Sequence, residues 1–177
     1  EMVAALADSL DTPAELLVHL AAFTGMRRSE ILGLRWGDID WERGAAQVSR
    51  ARHAERRGGL MEKLKRSMSY RMVSLPEALL GLLRRRQQHP EALMVPFSYD
   101  RVDRVLKGKP YSLQRLRHSQ ASLLLAANVP ITEVAARLGH TVAVSLRTYA
   151  HMIPGRERSV AEAVERALSD GTIMEQS

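Results

Sequence analysis

Two short basic segments contain residue types suited to binding a phosphodiester. The first is Thr24-Gly25-Met26-Arg27, and the second is Leu116-Arg117-His118. A guanidinium presents paired N–H donors that match two phosphate oxygens, and fixed positive charge stabilises the negative charge that develops when phosphorus is attacked. Arg27 and Arg117 are therefore candidate phosphate ligands.

Three further side chains could attack phosphorus or move protons. Tyr149 could form a covalent phosphotyrosine that stores the bond energy for religation. Lys65 could protonate the leaving 5′ oxygen, and His140 could orient the phosphate or exchange a proton with the tyrosine. Lys63, two residues before Lys65 on the same predicted strand face, is an alternative acid. No metal or cofactor is required, because the arginines supply the positive charge.

Taken in order, these segments resemble the tyrosine recombinases, the phage integrase family. The resemblance runs from about Leu16 to Ile153, with 52 positions from Lys65 to Arg117, 23 from Arg117 to His140 and 9 from His140 to Tyr149. It implies that Tyr149 is the nucleophile. The implied catalytic set is Arg27, Lys65, Gln114, Arg117, His140 and Tyr149, supported by Glu30, His118 and His151.

Gln114 departs from the family pattern, because the family usually has a histidine at this position. A helix starting at Leu113 places Gln114 and Arg117 three residues apart, so both can point at one phosphate. A glutamine amide can donate a hydrogen bond, but it is neutral and cannot act as an acid.

The resemblance also implies function and partners. It implies a site-specific recombinase that cleaves and rejoins double-stranded DNA through a 3′-phosphotyrosine. It further implies a homo-oligomer on DNA, as a tetrameric synapse, and a monomer or weak oligomer without DNA. We expect residues 1–170 to form the catalytic domain and 171–177 a flexible tail. Family members usually carry an N-terminal core-binding domain, which we expect to be absent because the chain begins near the first motif.

Three alternatives remain open on the sequence. The segment Ile131–Tyr149 also fits a helix-turn-helix, which would make the chain a non-enzymatic DNA-binding module. Asp38, Asp40 and Glu42 could belong to a metal-dependent nuclease. A type IB topoisomerase would use the same chemistry without a defined target site.

Composition and charge agree with a globular protein that binds a polyanion. The chain has 177 residues, 45% of them hydrophobic, and no cysteine, which excludes a disulfide scaffold and a cysteine nucleophile. No apolar run is long enough for a membrane span, and a cytoplasmic location is expected. The net charge of +6 arises in the middle of the chain: residues 43–120 carry 18 basic and 6 acidic groups.

The patterns predict a mainly α (α+β) domain with one small three-stranded antiparallel sheet. Pro13 fits the first turn of a helix that Gly25 ends, and Ser29 can cap a second short helix. Strands are predicted at Ala46–Arg50, Leu60–Lys65 and Tyr70–Leu75. Further helices are predicted from Pro76, over Tyr99–Leu106, Leu113–Ala127 and Ile131–Leu138, before Tyr149 and over Glu157–Leu168.

Overall fold

The computed structural model of the chain describes residues 12–54, 60–62 and 70–150, with residues 165 and 169 of the C-terminal segment. Within these ranges the fold is mainly α, as predicted. The helices are α1 (Thr12–Thr24), α2 (Arg28–Gly33), α3 (Glu77–Arg84), α4 (Tyr99–Leu106), α5 (Leu113–Ala126), α6 (Ile131–Leu138) and α7 (Val142–Tyr149). The strands are β1 (Ile39–Asp40), β2 (Ala45–Val48), β3 (Arg52–Ala54), β4 (Leu60–Glu62) and β5 (Arg71–Ser74).

The three-stranded sheet has the order β1-β2-β5 and is antiparallel throughout. Ala46 is the central position, paired with Ile39 on one side and Val73 on the other. On β5 the side chains alternate: Val73 is buried, whereas Met72 and Ser74 are exposed. One face of the sheet therefore closes the core, as period-two patterning requires.

A strand begins at Leu60 as predicted, but it does not join the three-stranded sheet, so the prediction of its pairing partner was wrong. Residues Leu60–Glu62 pair with Arg52–Ala54 as a separate two-stranded hairpin, with Leu60 opposite Ala54. The third strand of the main sheet is Ile39–Asp40, which is only two residues long. A two-residue strand is too short to show alternation, so the local pattern did not predict it.

Helix α1 passes through the main core and carries buried side chains on nearly every face. Leu16, Leu17, Val18 and Leu20 are all at most 2% exposed. A helix that is apolar on most sides is stable only when surrounded, and α1 packs on α5, α2 and α3. It thus provides the fixed support against which α5 sits.

A second, smaller apolar cluster joins the last three helices. Leu125 of α5, Leu138 of α6 and Tyr149 of α7 are its largest buried members, with Ala121 and Val134. The cluster determines how α7, and so the tyrosine at its end, lies against α5.

Several predictions fall on residues outside the described ranges. These are Lys65 and its rival Lys63, His151, most of the helix predicted over Glu157–Leu168, and the tail 171–177. In the part of the chain that is described, no helix is long and apolar enough to cross a membrane.

Replacing Leu138 by alanine should destabilise the protein strongly. Leu138 is fully buried in the second cluster, and removing a buried leucine side chain typically costs about 2–5 kcal/mol. The matched control is Leu123→Ala, because Leu123 is 71% exposed on α5. Chemical denaturation should show a large loss for Leu138→Ala and a change within about 0.5 kcal/mol for Leu123→Ala. Equal losses would show that the second cluster contributes little.

Candidate active site

Three arginines converge on the C-terminal end of α6. Arg71 Nε donates to the carbonyl of Arg137 at 2.7 Å, Arg117 Nη2 to Leu138 at 2.6 Å, and Arg27 Nη2 to Gly139 at 2.8 Å. The last carbonyls of a helix lack partners within the helix and carry partial negative charge. The end of α6 therefore holds three cations side by side.

The turn after α6 requires glycine. Gly139 has φ +63°, and a Cβ there would lie 2.8 Å from Arg71 Nη1 and 3.4 Å from Arg27 Nη1. A side chain at this position would be strained and would displace the guanidinium groups. The Leu-Gly-His segment thus leaves space for the arginines as well as ending the helix.

Glu30 joins two of these arginines. Its carboxylate accepts from Arg27 Nη1 at 2.8 Å, and from Arg71 Nη1 and Nη2 at 3.1 and 2.9 Å. It also accepts from the Arg27 backbone N–H at 2.7 Å, so α2 starts after Arg27 and the predicted Ser29 cap is wrong. Burial alone would raise the pKa of Glu30, but the hydrogen bonds and charges of Arg71 and Arg27 outweigh it and lower that pKa.

Arg117 lies in the buried stripe of α5, between apolar neighbours. It is 7% exposed and donates to the carbonyls of Gly25 and Leu138 and to Nε2 of His140 at 2.8 Å. Burial and the nearby cation Arg27 lower its pKa to about 10, so it stays charged at neutral pH.

The contact with Arg117 determines the protonation of His140. A guanidinium only donates, so Nε2 of His140 must accept and its proton must lie on Nδ1. Burial and the positive charge of Arg117 lower the pKa of His140 to about 4, which keeps the ring neutral. Nδ1 is buried and has no hydrogen-bond partner among the described residues. It can donate to a bound oxyanion.

Tyr149 lies at the end of α7 and is 2% exposed. Its hydroxyl is 2.9 Å from Nδ1 of His118, and the two rings are tilted by 59° with centroids 5.8 Å apart. Burial raises the pKa of Tyr149, partly offset by the charge of Arg117. The candidate nucleophile is therefore protonated at neutral pH and held by a histidine.

A cleft of about 910 Å³ brings most of the predicted site residues together. Its lining includes Arg27, Gln114, Arg117, His118 and His140. Gln114 is exposed at the rim of α5. Tyr149 does not line the cleft; His118 connects the tyrosine to it. Glu30 lies beneath, in contact with Arg27.

Comparisons with known proteins identify the family of this chain. Residues 1–155 match the phage integrase family. The chain belongs to the phage integrase family. It is 28% identical to a XerC-like tyrosine recombinase of Caldanaerobacter subterraneus, over 84% of this chain and 48% of that protein. It is 27% identical to a putative prophage phiRv2 integrase of Mycobacterium tuberculosis, over 89% of this chain and 48% of that protein. The chain spans about half the length of the curated relatives it matches.

Solved structures confirm the predicted integrase-like fold. The Tn1549 transposon integrase in complex with transposon right end DNA has a TM-score of 0.71 at 18% identity, over 86% of this chain and 59% of that one. The XerH site-specific recombinase bound to difH substrate, a pre-cleavage complex, has a TM-score of 0.57 at 23% identity, over 90% and 49%. At these identities the likeness concerns the fold alone.

Two arginines of this integrase-family site, the buried Arg71 and the half-buried Arg137, were not predicted as functional. Arg71 is 8% exposed, and Arg137 donates to the carbonyls of Phe23 and Ser74 at 2.9 and 3.1 Å. For Arg71 the sequence contains a signal: it lies two residues before the buried Val73 on β5, so both side chains lie on the inward face of the strand. A charge on the buried face of a strand requires a partner, which here is Glu30. For Arg137, near the end of α6, we find no comparable sequence signal.

Two of the three acidic residues of the nuclease alternative, Asp38 and Asp40, have structural roles. Asp38 is 7% exposed and accepts from Arg50 Nη2 at 2.6 Å and from the Arg35 backbone N–H at 2.8 Å. Asp40 accepts from the Arg43 backbone N–H at 2.9 Å. Across the described ranges, no group of three or more histidine, aspartate and glutamate side chains could hold a metal ion.

Glu30→Gln should destabilise the protein in a pH-dependent way. At pH 7 the loss should be about 3 kcal/mol, because the buried Arg71 and the partly exposed Arg27 lose their counter-ion. The pKa of Glu30 is lowered on folding, so its stabilisation is complete above the ordinary value of 4.5 and is lost as the pH falls through the folded-state pKa. The free energies of unfolding of the parent and the variant should therefore converge in acid.

The measurement is urea denaturation of the parent and the variant between pH 7 and pH 3. Glu77→Gln is the control, because Glu77 is an exposed partner of Arg84 and its loss should cost less than about 1 kcal/mol. A Glu30→Gln deficit that stays constant down to pH 3 would contradict the role assigned to the charged carboxylate.

Proposed function

We propose that this chain is the catalytic domain of a site-specific DNA recombinase. It cleaves one strand of double-stranded DNA, holds the 3′ phosphate on Tyr149 and rejoins it to another 5′ end. The observation that carries the proposal is the convergence of Arg27, Arg117 and His140 on one cleft, with His118 linking that cleft to Tyr149. Relatives named as recombinases and integrases support it.

The cleft residues would bind and polarise the scissile phosphate. The guanidinium groups of Arg27 and Arg117 are held by backbone carbonyls, so they are oriented before DNA arrives. Preorganised charge of this kind is usually the largest catalytic contribution. The buried Nδ1–H of His140 adds a neutral donor for a non-bridging oxygen.

The reaction is a balanced exchange at phosphorus. The Tyr149 oxygen forms a bond to phosphorus, the bond from phosphorus to the 5′ oxygen breaks, and that oxygen takes up a proton. We assign the proton donor to Lys65, which the family resemblance places on a hairpin. Rejoining runs the same steps in reverse. Positive charge comes from arginine, so the proposed reaction needs no divalent metal.

The proposed partner is double-stranded DNA, bound by several copies of the protein as a tetrameric synapse. The excess of basic residues over positions 43–120 supports binding to phosphate backbones. The non-enzymatic helix-turn-helix alternative does not account for the site, because the turn between α6 and α7 is occupied by Arg27 and its Gly139 contact.

A selection experiment tests this function without a known target site. Nicked, end-labelled duplexes with a randomised central segment are incubated with the protein, and DNA that stays attached in denaturant is recovered and sequenced. We expect covalent attachment at one preferred sequence, at the same rate with and without excess chelator. Cleavage that needs a divalent ion and leaves no DNA attached to the protein would favour the nuclease alternative.

Tyr149→Phe should abolish attachment to the recovered duplex and leave DNA binding intact. The substitution removes the nucleophilic oxygen and keeps the ring that packs in the second cluster. Tyr70→Phe is the matched control, since Tyr70 is 60% exposed and does not line the cleft. Attachment by Tyr149→Phe at the parental rate would overturn the assignment of the nucleophile.

Gln114→His should raise the cleavage rate roughly tenfold. A charge-assisted hydrogen bond to the phosphate is worth about 1–2 kcal/mol more than the neutral amide bond. DNA affinity should hardly change, and Gln88→His, in the exposed loop after α3, controls for an added histidine. Gln114→Ala provides the converse test. If it cleaves as fast as the parent, this side chain does not contact the phosphate.

A further inference from the structure

The proton of the nucleophile needs an acceptor. Burial raises the pKa of Tyr149, so the hydroxyl keeps its proton at neutral pH until it attacks. Within the described ranges, the side chain hydrogen-bonded to this hydroxyl is His118, through Nδ1 at 2.9 Å. A proton acceptor must lie within such a distance of the proton that it takes.

Two other candidate site residues within the described ranges, Arg117 and His140, are unsuited to that task. Arg117 is cationic, and a guanidinium has no acceptor atom. His140 already accepts from Arg117 through Nε2, and its remaining nitrogen carries a proton. A further proton on that ring is disfavoured, because burial and Arg117 hold its pKa at about 4.

We propose that His118 is the general base that takes the proton of Tyr149 during strand cleavage. The inference rests on the function proposed above. As the tyrosine oxygen bonds to phosphorus, its proton passes to Nδ1 of His118, and the 5′ oxygen leaves with a proton from the acid. In rejoining, the imidazolium returns its proton to the departing tyrosine oxygen.

The helical geometry of α5 explains how two adjacent residues, Arg117 and His118, reach the cationic centre and Tyr149 respectively. Arg117 points into the buried stripe of α5, and the next residue is turned by about 100° around the helix. His118 therefore faces α7, where its ring meets Tyr149. It also lines the cleft, whereas Tyr149 does not, so His118 connects the buried hydroxyl to the cleft.

The pH dependence of cleavage should report the protonation of His118. Among the described residues, the charged and titratable side chains that line the cleft with His118 are Arg27, Arg28, Asp103, Lys107, Tyr111, Arg117 and His140. Burial and the charge of Arg117 lower the pKa of His140 to about 4. Protonated His118 could not accept the proton of Tyr149, so the cleavage rate should fall when His118 takes up a proton.

The test measures single-turnover cleavage against pH with the selected duplex. His118→Asn places an amide nitrogen near the position of Nδ1 and so retains a hydrogen bond, but it cannot take a proton. We expect a roughly 100-fold lower rate at neutral pH and no acidic limb in its profile. His89→Asn is the matched control, because the exposed His89 also uses Nδ1 to accept a hydrogen bond, from Glu91. Its profile should equal the parent's.

A second substrate separates the base from the acid. When sulfur replaces the bridging 5′ oxygen at the cleavage site, the leaving thiolate needs no proton. With this substrate, Lys65→Ala should cleave nearly as fast as the parent, whereas the cleavage rate of His118→Asn should stay well below that of the parent. Rescue of His118→Asn by sulfur would overturn the proposal, because it would place His118 on the leaving group.

Each failure has a separate signature. If the parent forms no adduct with any duplex, the proposed function fails. If the parent forms the adduct and His118→Asn keeps the acidic limb, the histidine has a structural role and this inference alone fails. Melting temperatures check that the variants fold, and His118→Gln replaces His118→Asn if the latter does not. Parental rates in a folded variant would also overturn the proposal.

Discussion

The interaction on which the site depends is the binding of arginine side chains by the end of one helix. The carbonyls of residues 137–139 have no partners within α6, and three guanidinium groups from distant parts of the chain satisfy them. The same hydrogen bonds satisfy the helix end and orient the cations. The arginines would otherwise repel one another, so the partial negative charge of the helix end makes their close approach possible.

Packing and chemistry are linked through the last three helices. Leu138 lies in the second apolar cluster and its carbonyl binds Arg117, so one residue connects the apolar contacts to the cationic centre. Tyr149 belongs to the same cluster. Repacking between α6 and α7 would therefore change the position of the nucleophile and the orientation of the arginine together. The site has little freedom to adjust one without the other.

Most helices could be predicted from local pattern, because amphipathic stripes and glycine stops are local properties. Five of the cleft residues were predicted from the resemblance to the phage integrase family. Contacts between distant segments could not. The ion pair of Arg71 with Glu30 joins segments about 40 residues apart. The inward parity of Arg71 on β5 was the one available sign of that ion pair. The contact between His118 and Tyr149 also required the packing of α7 on α5, which no sequence pattern specifies.

The centre holds three guanidinium cations and one carboxylate, while His140 is neutral. Its net charge is thus two positive units. A phosphodiester carries one negative charge, and the five-coordinate species formed on attack carries two. In the proposed reaction, the net charge of the centre would match that of the five-coordinate species rather than that of bound DNA, so the attraction would grow as phosphorus is attacked. Glu30 lowers the net charge of the centre by one unit. That additional positive charge would bind the uncleaved duplex as well as it binds the five-coordinate species.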